Sequence, residues 1–390
     1  MDNFVFQLPT KILFGRGTEN DVGAEVALYS KKALLHFGGS SAEKSGLLAR
    51  VRASLKAAGV EWVELGGVKA NPVVSLVRVG IELCRKERIG FVLAVGGGSV
   101  IDSAKGIAAG FHYSGDVWDF YTGAAPAPEK ALPVGTVLTI PAAGSESSCG
   151  SVLTNEDGAF KRAVNADCLY PRVSVLNPEL AFTLPTNQVA NGVADIMAHL
   201  MERYFTNVGN VEFSDRLIEA TLKTVIAAAP RLFADRDDYD AWAEVMWAGS
   251  IAHNNLLDRG RMGDWASHDI EHELSGIYDI AHGAGLAIVF PAWMKFNRGH
   301  DLARFAQFAV RVWGVEADCF NVERVAGEGI ARLESFWKGL GLPIRLADLG
   351  IGLDRAAEMA NKCTSGDTRR VGQFVKLTKA DIEEIYRLAK

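Results

Sequence analysis

The run FVLAVGGGSVIDSAK (91–105) constrains this chain more than any other. Five consecutive apolar residues, Phe91 to Val95, end in Gly96-Gly97-Gly98, and a helical pattern starts at once. An unbroken apolar run has no solvated face, so it belongs inside a sheet covered on both sides. Such sheets are built from parallel strands joined by crossover helices. The flanking chain repeats the unit. Strands are expected at KALLHF (32–37), WVELGG (62–67), TVLTIP (136–141) and RVSVLNP (172–178), with helices over 42–59 and 75–90. The expected fold class is α/β, with a doubly wound, mostly parallel nucleotide-binding sheet over residues 1–185.

Beyond residue 185 the texture changes. Pro185-Thr186 is a helix start signal, with Thr186 as the candidate N-cap. Helical patterns follow over 187–206, 211–233 and 301–314, with few β-branched runs. Residues 186–390 are therefore expected to form an all-helical domain. The junction of the two domains is the natural place for a ligand cleft.

Composition narrows the function. With 48% apolar and 23% charged residues, the chain is neither disordered nor collagen-like. A net charge of −6 is a poor match for nucleic acid or an anionic membrane. Five Cys form no CxxC pair, which suits a reducing compartment. There is no basic-then-apolar leader and no apolar run of roughly 20 residues. A soluble cytoplasmic protein is expected.

Two glycine turns point to a dinucleotide. Gly96, Gly97, Gly98 and Ser99 lie between strand and helix, where backbone N–H groups and the helix N-terminus favour a phosphate. Asp102 is placed to accept from a ribose hydroxyl. The pattern is neither GxGxxG nor a Walker A box, and a plain strand-to-helix turn is the alternative. The second turn, Gly38-Gly39-Ser40-Ser41, ends the strand at 32–37. A carboxylate at such a strand end holds the adenosine ribose of NAD. Here stand Gly, Ser and the nearby Lys44, so NADP(H) is expected to be preferred over NAD(H). A helix-capping turn is the alternative there.

Six of the eight His fall after residue 185. Asp195 and His199 are i, i+4 on one helix face, as are His268 and His272, and His282 follows. A continuous helix would separate His268 from His282 by about 21 Å. If they share an ion, the chain must turn between them, and Ser275-Gly276 is the expected break. One carboxylate with three imidazoles suits Zn2+ or Fe2+ and disfavours Mg2+ or Ca2+. Spacing alone does not choose between His268 and His272. His253 and His300 lack partners at useful spacing and are read as structural. His268-Asp-Ile-Glu271-His272 also matches HxxEH, the inverted zinc-peptidase pattern, with Glu271 as general base. Trp265 and Phe290 are read as ordinary core aromatics.

These motifs, taken in order, resemble the iron-containing (group III) alcohol dehydrogenase family, in its NADPH-dependent butanol dehydrogenase or aldehyde reductase branch. The likeness runs through FQLPTKILFGRG, GGGSVIDSAK (96–105), TIPAAGSESS (139–148), LPTNQVANGVADIMAHLMERY (184–204) and DWASHDIEHELSGIYDIAHGAGLAIVFPA (264–292). It implies metal ligands Asp195, His199, His268 and His282, with His272 beside the nicotinamide. It implies pyrophosphate binding at Gly97-Gly98-Ser99 with Asp102 close by. Thr139 and Ser145 would lie near the nicotinamide ribose and Lys161 near the cofactor. Gly38, Gly39 and Ser40 would sit at the adenosine ribose. Ala142-Ala143 departs from the family, where many members carry a threonine. The implied chemistry is hydride transfer between NADP(H) and a small alcohol or aldehyde. The metal would act as Lewis acid and His272 as proton relay. Family members are commonly dimers, and the FVFQLP run is a candidate pairing segment. A dehydroquinate-synthase-like or glycerol-dehydrogenase-like enzyme is the related alternative.

Overall fold

The computed structural model describes residues 1–390. Eight strands form: β1 (Lys11–Phe14), β2 (Lys32–Phe37), β3 (Glu61–Leu65), β4 (Phe91–Gly96), β5 (Val134–Leu138), β6 (Gly150–Asn155), β7 (Phe160–Asn165) and β8 (Val173–Leu176). The helices up to residue 254 are α1 (Val22–Ala27), α2 (Ser41–Lys44), α3 (Leu47–Ala57), α4 (Val74–Glu87), α5 (Gly98–Gly110), α6 (Trp118–Thr122), α7 (Thr186–Tyr204), α8 (Glu212–Ala234) and α9 (Tyr239–His253). Then come α10 (Ala266–Tyr278), α11 (His282–Asn297), α12 (Leu302–Trp313), α13 (Val322–Gly339), α14 (Ala356–Cys363) and α15 (Lys379–Leu388).

Six strands pair in the order β1-β8-β5-β4-β2-β3, every pair parallel. All six residues of β4 are buried, as its unbroken apolar run requires. Leu35, Leu93, Val95, Val137 and Val175 pack with Leu48, Val51 and Leu55 of α3. Full burial of each such side chain stabilises the fold by about 1.5–3 kcal/mol. β1 and the antiparallel hairpin β6–β7 were not among the expected strands. The helix expected over 42–59 is broken at Gly46, whose left-handed φ of 73° separates α2 from α3.

The chain divides into two compact units. A sheet unit comprises Gln7–Leu184 with Arg236–Asn254, and a helical unit comprises Met1–Phe6, Pro185–Asp235 and Asn255–Lys390. The segment 236–254, carrying α9, thus returns to the sheet unit across the single boundary expected at 185. There Ser250 donates to Glu146 Oε1 at 2.5 Å and accepts, through its carbonyl, from Ser147 Oγ at 3.0 Å. α7 begins one residue earlier than expected: Pro185 holds the N-cap position and Thr186 is the first helical residue, without a side-chain cap. The helical unit is centred on stacked aromatics, among them Phe205 and Phe305 with ring centroids 4.6 Å apart. No helix is long and apolar enough to cross a membrane.

Candidate active site

In the helical unit, α7 carries Asp195 and His199 one turn apart on the same face, both buried. His199 Nδ1 lies 3.4 Å from Asp195 Oδ1. α10 brings His268 Nε2 to 4.0 Å from that oxygen, and α11 opens with His282, whose Nε2 is 3.8 Å from it. The chain does turn between His268 and His282, but not at Ser275-Gly276. α10 runs through both residues to Tyr278, and Asp279 takes a left-handed φ of 50°. Asp is one of the few side chains that tolerate this conformation, so it ends the helix where no glycine stands. Gly283 then admits the first turn of α11 against α7: a Cβ there would lie 2.1 Å from the Asn191 carbonyl oxygen.

This donor set fits a divalent cation. One ligand atom each from Asp195, His268 and His282 lies within 4.8 Å of the other two. Ligands about 2.1 Å from a tetrahedral ion stand about 3.4 Å apart, close to the separations found. Glu271, His272 and His282 form a second close group. Glu271, however, is fully buried and hydrogen-bonds His282 Nδ1 and Ser275 Oγ. Its carboxylate is committed to the back of His282, which removes the general base that the HxxEH peptidase reading needs. His272 is buried beside His282, with ring centroids 5.6 Å apart. Trp265 is not simply a core aromatic. Its half-buried indole packs against His268 at 5.2 Å and His199 at 6.0 Å, forming a wall beside them. Phe290 does lie in the core. His300 stands apart, bonded to Asn207 Oδ1 at 2.9 Å, and His253 belongs to α9 of the sheet unit.

In the sheet unit, the chain leaves β2 toward β3 on one side and leaves β4 toward β5 on the other. The carboxyl ends of β2 and β4 therefore flank a topological switch point, where open α/β sheets bind ligands. Phe37 pairs with Val95, so the turn Gly38-Gly39-Ser40 lies next to Gly96-Gly97-Gly98. Thr139 follows the adjacent strand and donates its N–H to the Gly96 carbonyl at 3.1 Å. A Cβ at Gly97 would meet Ile140 at 3.0 Å, and one at Gly98 would meet Ala143 at 2.8 Å. Glycine there keeps the first turn of α5 open, with Ser99 half-buried at its start. Ala143, at the departure from the family pattern, is thus a packing partner of Gly98. Ser40, Ser41 and Lys44 are exposed, while the nearest carboxylate, Glu43, is paired bidentately with Arg52 at 2.8 Å.

Asp102 and Ser145 have internal partners. Asp102 Oδ1 accepts from Ser145 Oγ at 2.5 Å, and its Oδ2 accepts from the Val152 N–H at 3.1 Å. Asp102 therefore ties α5 to the following segment. Sequence reasoning missed the group at the centre of this tie, Lys105. Its buried Nζ donates to the carbonyls of Ser145, Ser148 and Gly150 at 2.7–2.8 Å and to Ser145 Oγ at 3.0 Å. Burial pushes the Lys105 ammonium down to about 8, while Asp102 opposes the shift. A lysine two turns into an apolar helix was the signal available. Lys161 on β7 is also buried and acts electrostatically on Asp102.

Comparison with known proteins accords with both halves. Residues 9–178 match the family described as iron-containing alcohol dehydrogenase, and residues 189–390 match the C-terminal part of that family. The chain is 44% identical over 387 residues, 99% of both chains, to the probable NADH-dependent butanol dehydrogenase 1 of Bacillus subtilis. It is 34% identical over the whole of both chains to the NADPH-dependent aldehyde reductase YqhD of Escherichia coli. Among solved structures, the NADH-dependent butanol dehydrogenase A of Thermotoga maritima is 42% identical with a TM-score of 0.95, covering 100% of this chain and 99% of that one. The paired family matches, spanning nearly every residue and joined to this parallel sheet and helical unit, show that the chain belongs to the iron-containing alcohol dehydrogenase family and is an oxidoreductase.

Proposed function

We propose that this protein interconverts small alcohols and aldehydes of the butanol–butanal type, using a divalent metal and NADP(H). The observation that carries the reading is the convergence of His199, His268 and His282 on one oxygen of Asp195. These four residues would hold Fe2+ or Zn2+; the family description favours iron. When bound, the cation supplies Lewis acidity toward the substrate oxygen, and the nicotinamide supplies or accepts the hydride.

The chain's own residues do the rest. The backbone N–H groups at Gly97, Gly98 and Ser99 receive the pyrophosphate at the N-terminus of α5. Thr139 and Lys161 help position the dinucleotide, with Asp102 and Ser145 holding the segment from beneath. The exposed Ser40 hydroxyl and Lys44 ammonium, beside Gly38 and Gly39, recognise the 2′-phosphate of NADP(H). His272 holds the proton exchanged with the substrate oxygen, a task suited to imidazole near neutral pH. Trp265 shields one side of the imidazole cluster from water. The exposed Phe4, Val5, Phe6 and Leu8 supply apolar surface for a homodimer.

One set of assays tests this reading. Metal-free protein should not reduce butanal, and returning Fe2+ or Zn2+ should restore the fall in reduced-nicotinamide absorbance. kcat/KM should favour NADPH over NADH by about tenfold or more, equivalent to about 1.4 kcal/mol. His272→Ala should lower kcat about a hundredfold with metal content unchanged. Full activity without metal overturns the Lewis-acid role, a preference for NADH overturns the 2′-phosphate site, and loss of metal from His272→Ala overturns the ligand assignment.

A further inference from the structure

We infer that Glu202 and Glu271 set the metal affinity of this site by fixing which nitrogen of His268 and of His282 faces the cation. The inference rests on the proposed metal-binding role of those two histidines. Both glutamates are fully buried, Glu202 on the last turn of α7 and Glu271 in α10.

Glu202 Oε1 accepts the backbone N–H of His268 at 3.1 Å and lies 2.8 Å from His268 Nδ1. Its Oε2 accepts the backbone N–H of Trp265 at 2.6 Å. An oxygen that already accepts a backbone N–H beside this ring is best matched by an Nδ1–H donor. The lone pair of His268 is then on Nε2, the nitrogen turned toward Asp195. Glu271 repeats the device. It hydrogen-bonds His282 Nδ1 with Oε2 and receives the Ser275 hydroxyl on Oε1, leaving His282 Nε2 toward Asp195.

The sequence makes room for the second clamp. A Cβ at Gly285 would lie 2.5 Å from Glu271 Oε1, so the glycine three residues after His282 admits the carboxylate. Each ligand is therefore held from behind by a carboxylate on a helix. This sets its ring orientation and tautomer before a cation arrives, and it raises the basicity of the ligating nitrogen. Glu202 has a second task, because its two backbone bonds hold the start of α10, where Trp265 adopts a left-handed φ of 66°.

The test is metal binding itself. Zn2+ dissociation constants are measured on the full-length metal-free protein by competition with a chromophoric chelator, for the wild type, Glu202→Gln and Glu271→Gln. Each substitution keeps the side chain's shape while replacing one acceptor oxygen with an amide N–H. Binding should weaken about 10- to 100-fold in each. Nitrogen NMR of the imidazoles should show Nδ1–H for both rings in the wild type, with the proportion falling in the variants. Should Glu202→Gln fail to fold, because it also caps α10, Glu271→Gln alone decides. Unchanged affinity in Glu271→Gln, even with a lowered unfolding temperature of the metal-free protein, overturns the inference and leaves Glu271 merely structural. A wild type that binds no Zn2+ or Fe2+ overturns instead the metal site on which the inference stands.

Discussion

At the scale of single residues, His36 shows how tightly one side chain can be specified. It sits on β2, fully buried, with Nδ1 donating to the Leu65 carbonyl at 2.7 Å and Nε2 2.9 Å from Ser103 Oγ. The neutral ring satisfies both partners, with Ser103 donating to Nε2. Burial lowers its proton affinity to about 4 from the ordinary 6.5. The unfolded chain therefore binds this proton more readily than the native state. Its stability contribution is complete above pH 6.5 and is lost as pH falls from there through about 4, a total of about 3 kcal/mol. Urea unfolding at a series of pH values should show this decline in the wild type and a shallower one in His36→Gln. Equal slopes would dismiss the assignment. The metal-type residues were legible in the sequence because helical spacing puts i and i+4 on one face. The commitments of Asp102 and Glu202 were not. Their partners lie 43 and 66 residues away, where no local pattern reaches.

At the scale of elements, α5 is the clearest case of a helix doing two tasks. Its first turn presents backbone N–H groups at the switch point, and its buried flank is stitched to residues 145–152 by Asp102 and Lys105. Removing the cation alone should be costly, because it leaves Asp102 buried without its compensating charge. Lys105→Met is expected to destabilise the protein by about 3–5 kcal/mol. Asp102→Asn in that background should restore part of the loss, since both side chains meet at Ser145. Strict additivity in urea denaturation would show the two to be independent. The buried strands announced themselves through continuous apolar runs, and β2 matches its expected bounds. β1 did not, being four residues on a sheet edge, nor did β7, whose FKRAVN mixes charge with a weak alternation. The break at Asp279 was misplaced because Gly276 drew attention to itself while remaining helical.

At the scale of the whole molecule, the units do not correspond to two successive lengths of chain. A fragment ending at residue 184 lacks α9, and with it Trp242 and Met246, both buried, and the Ser250 hydroxyl that serves Glu146. Losing that hydrogen bond alone costs about 1–3 kcal/mol at a buried carboxyl group. Residues 7–184 on their own should lack a cooperative thermal transition, and fusing 236–254 through a flexible linker should restore it. A sharp transition in the shorter fragment would count against the role given to α9. The texture change at 185 was plain in the sequence because strand and helix patterns differ in period. The return of 236–254 was hidden, since a helix carries no local mark of what it packs against. The same interleaving imposes an order on synthesis. A ribosome must deliver residue 254 before the sheet unit can close, so α7, already emerged with Asp195 and His199, waits unsupported for α10 and α11. At the opposite end, Asp2 donates its backbone N–H to the Gly260 carbonyl at 3.0 Å, so one of the earliest residues made must wait for a partner that follows α9.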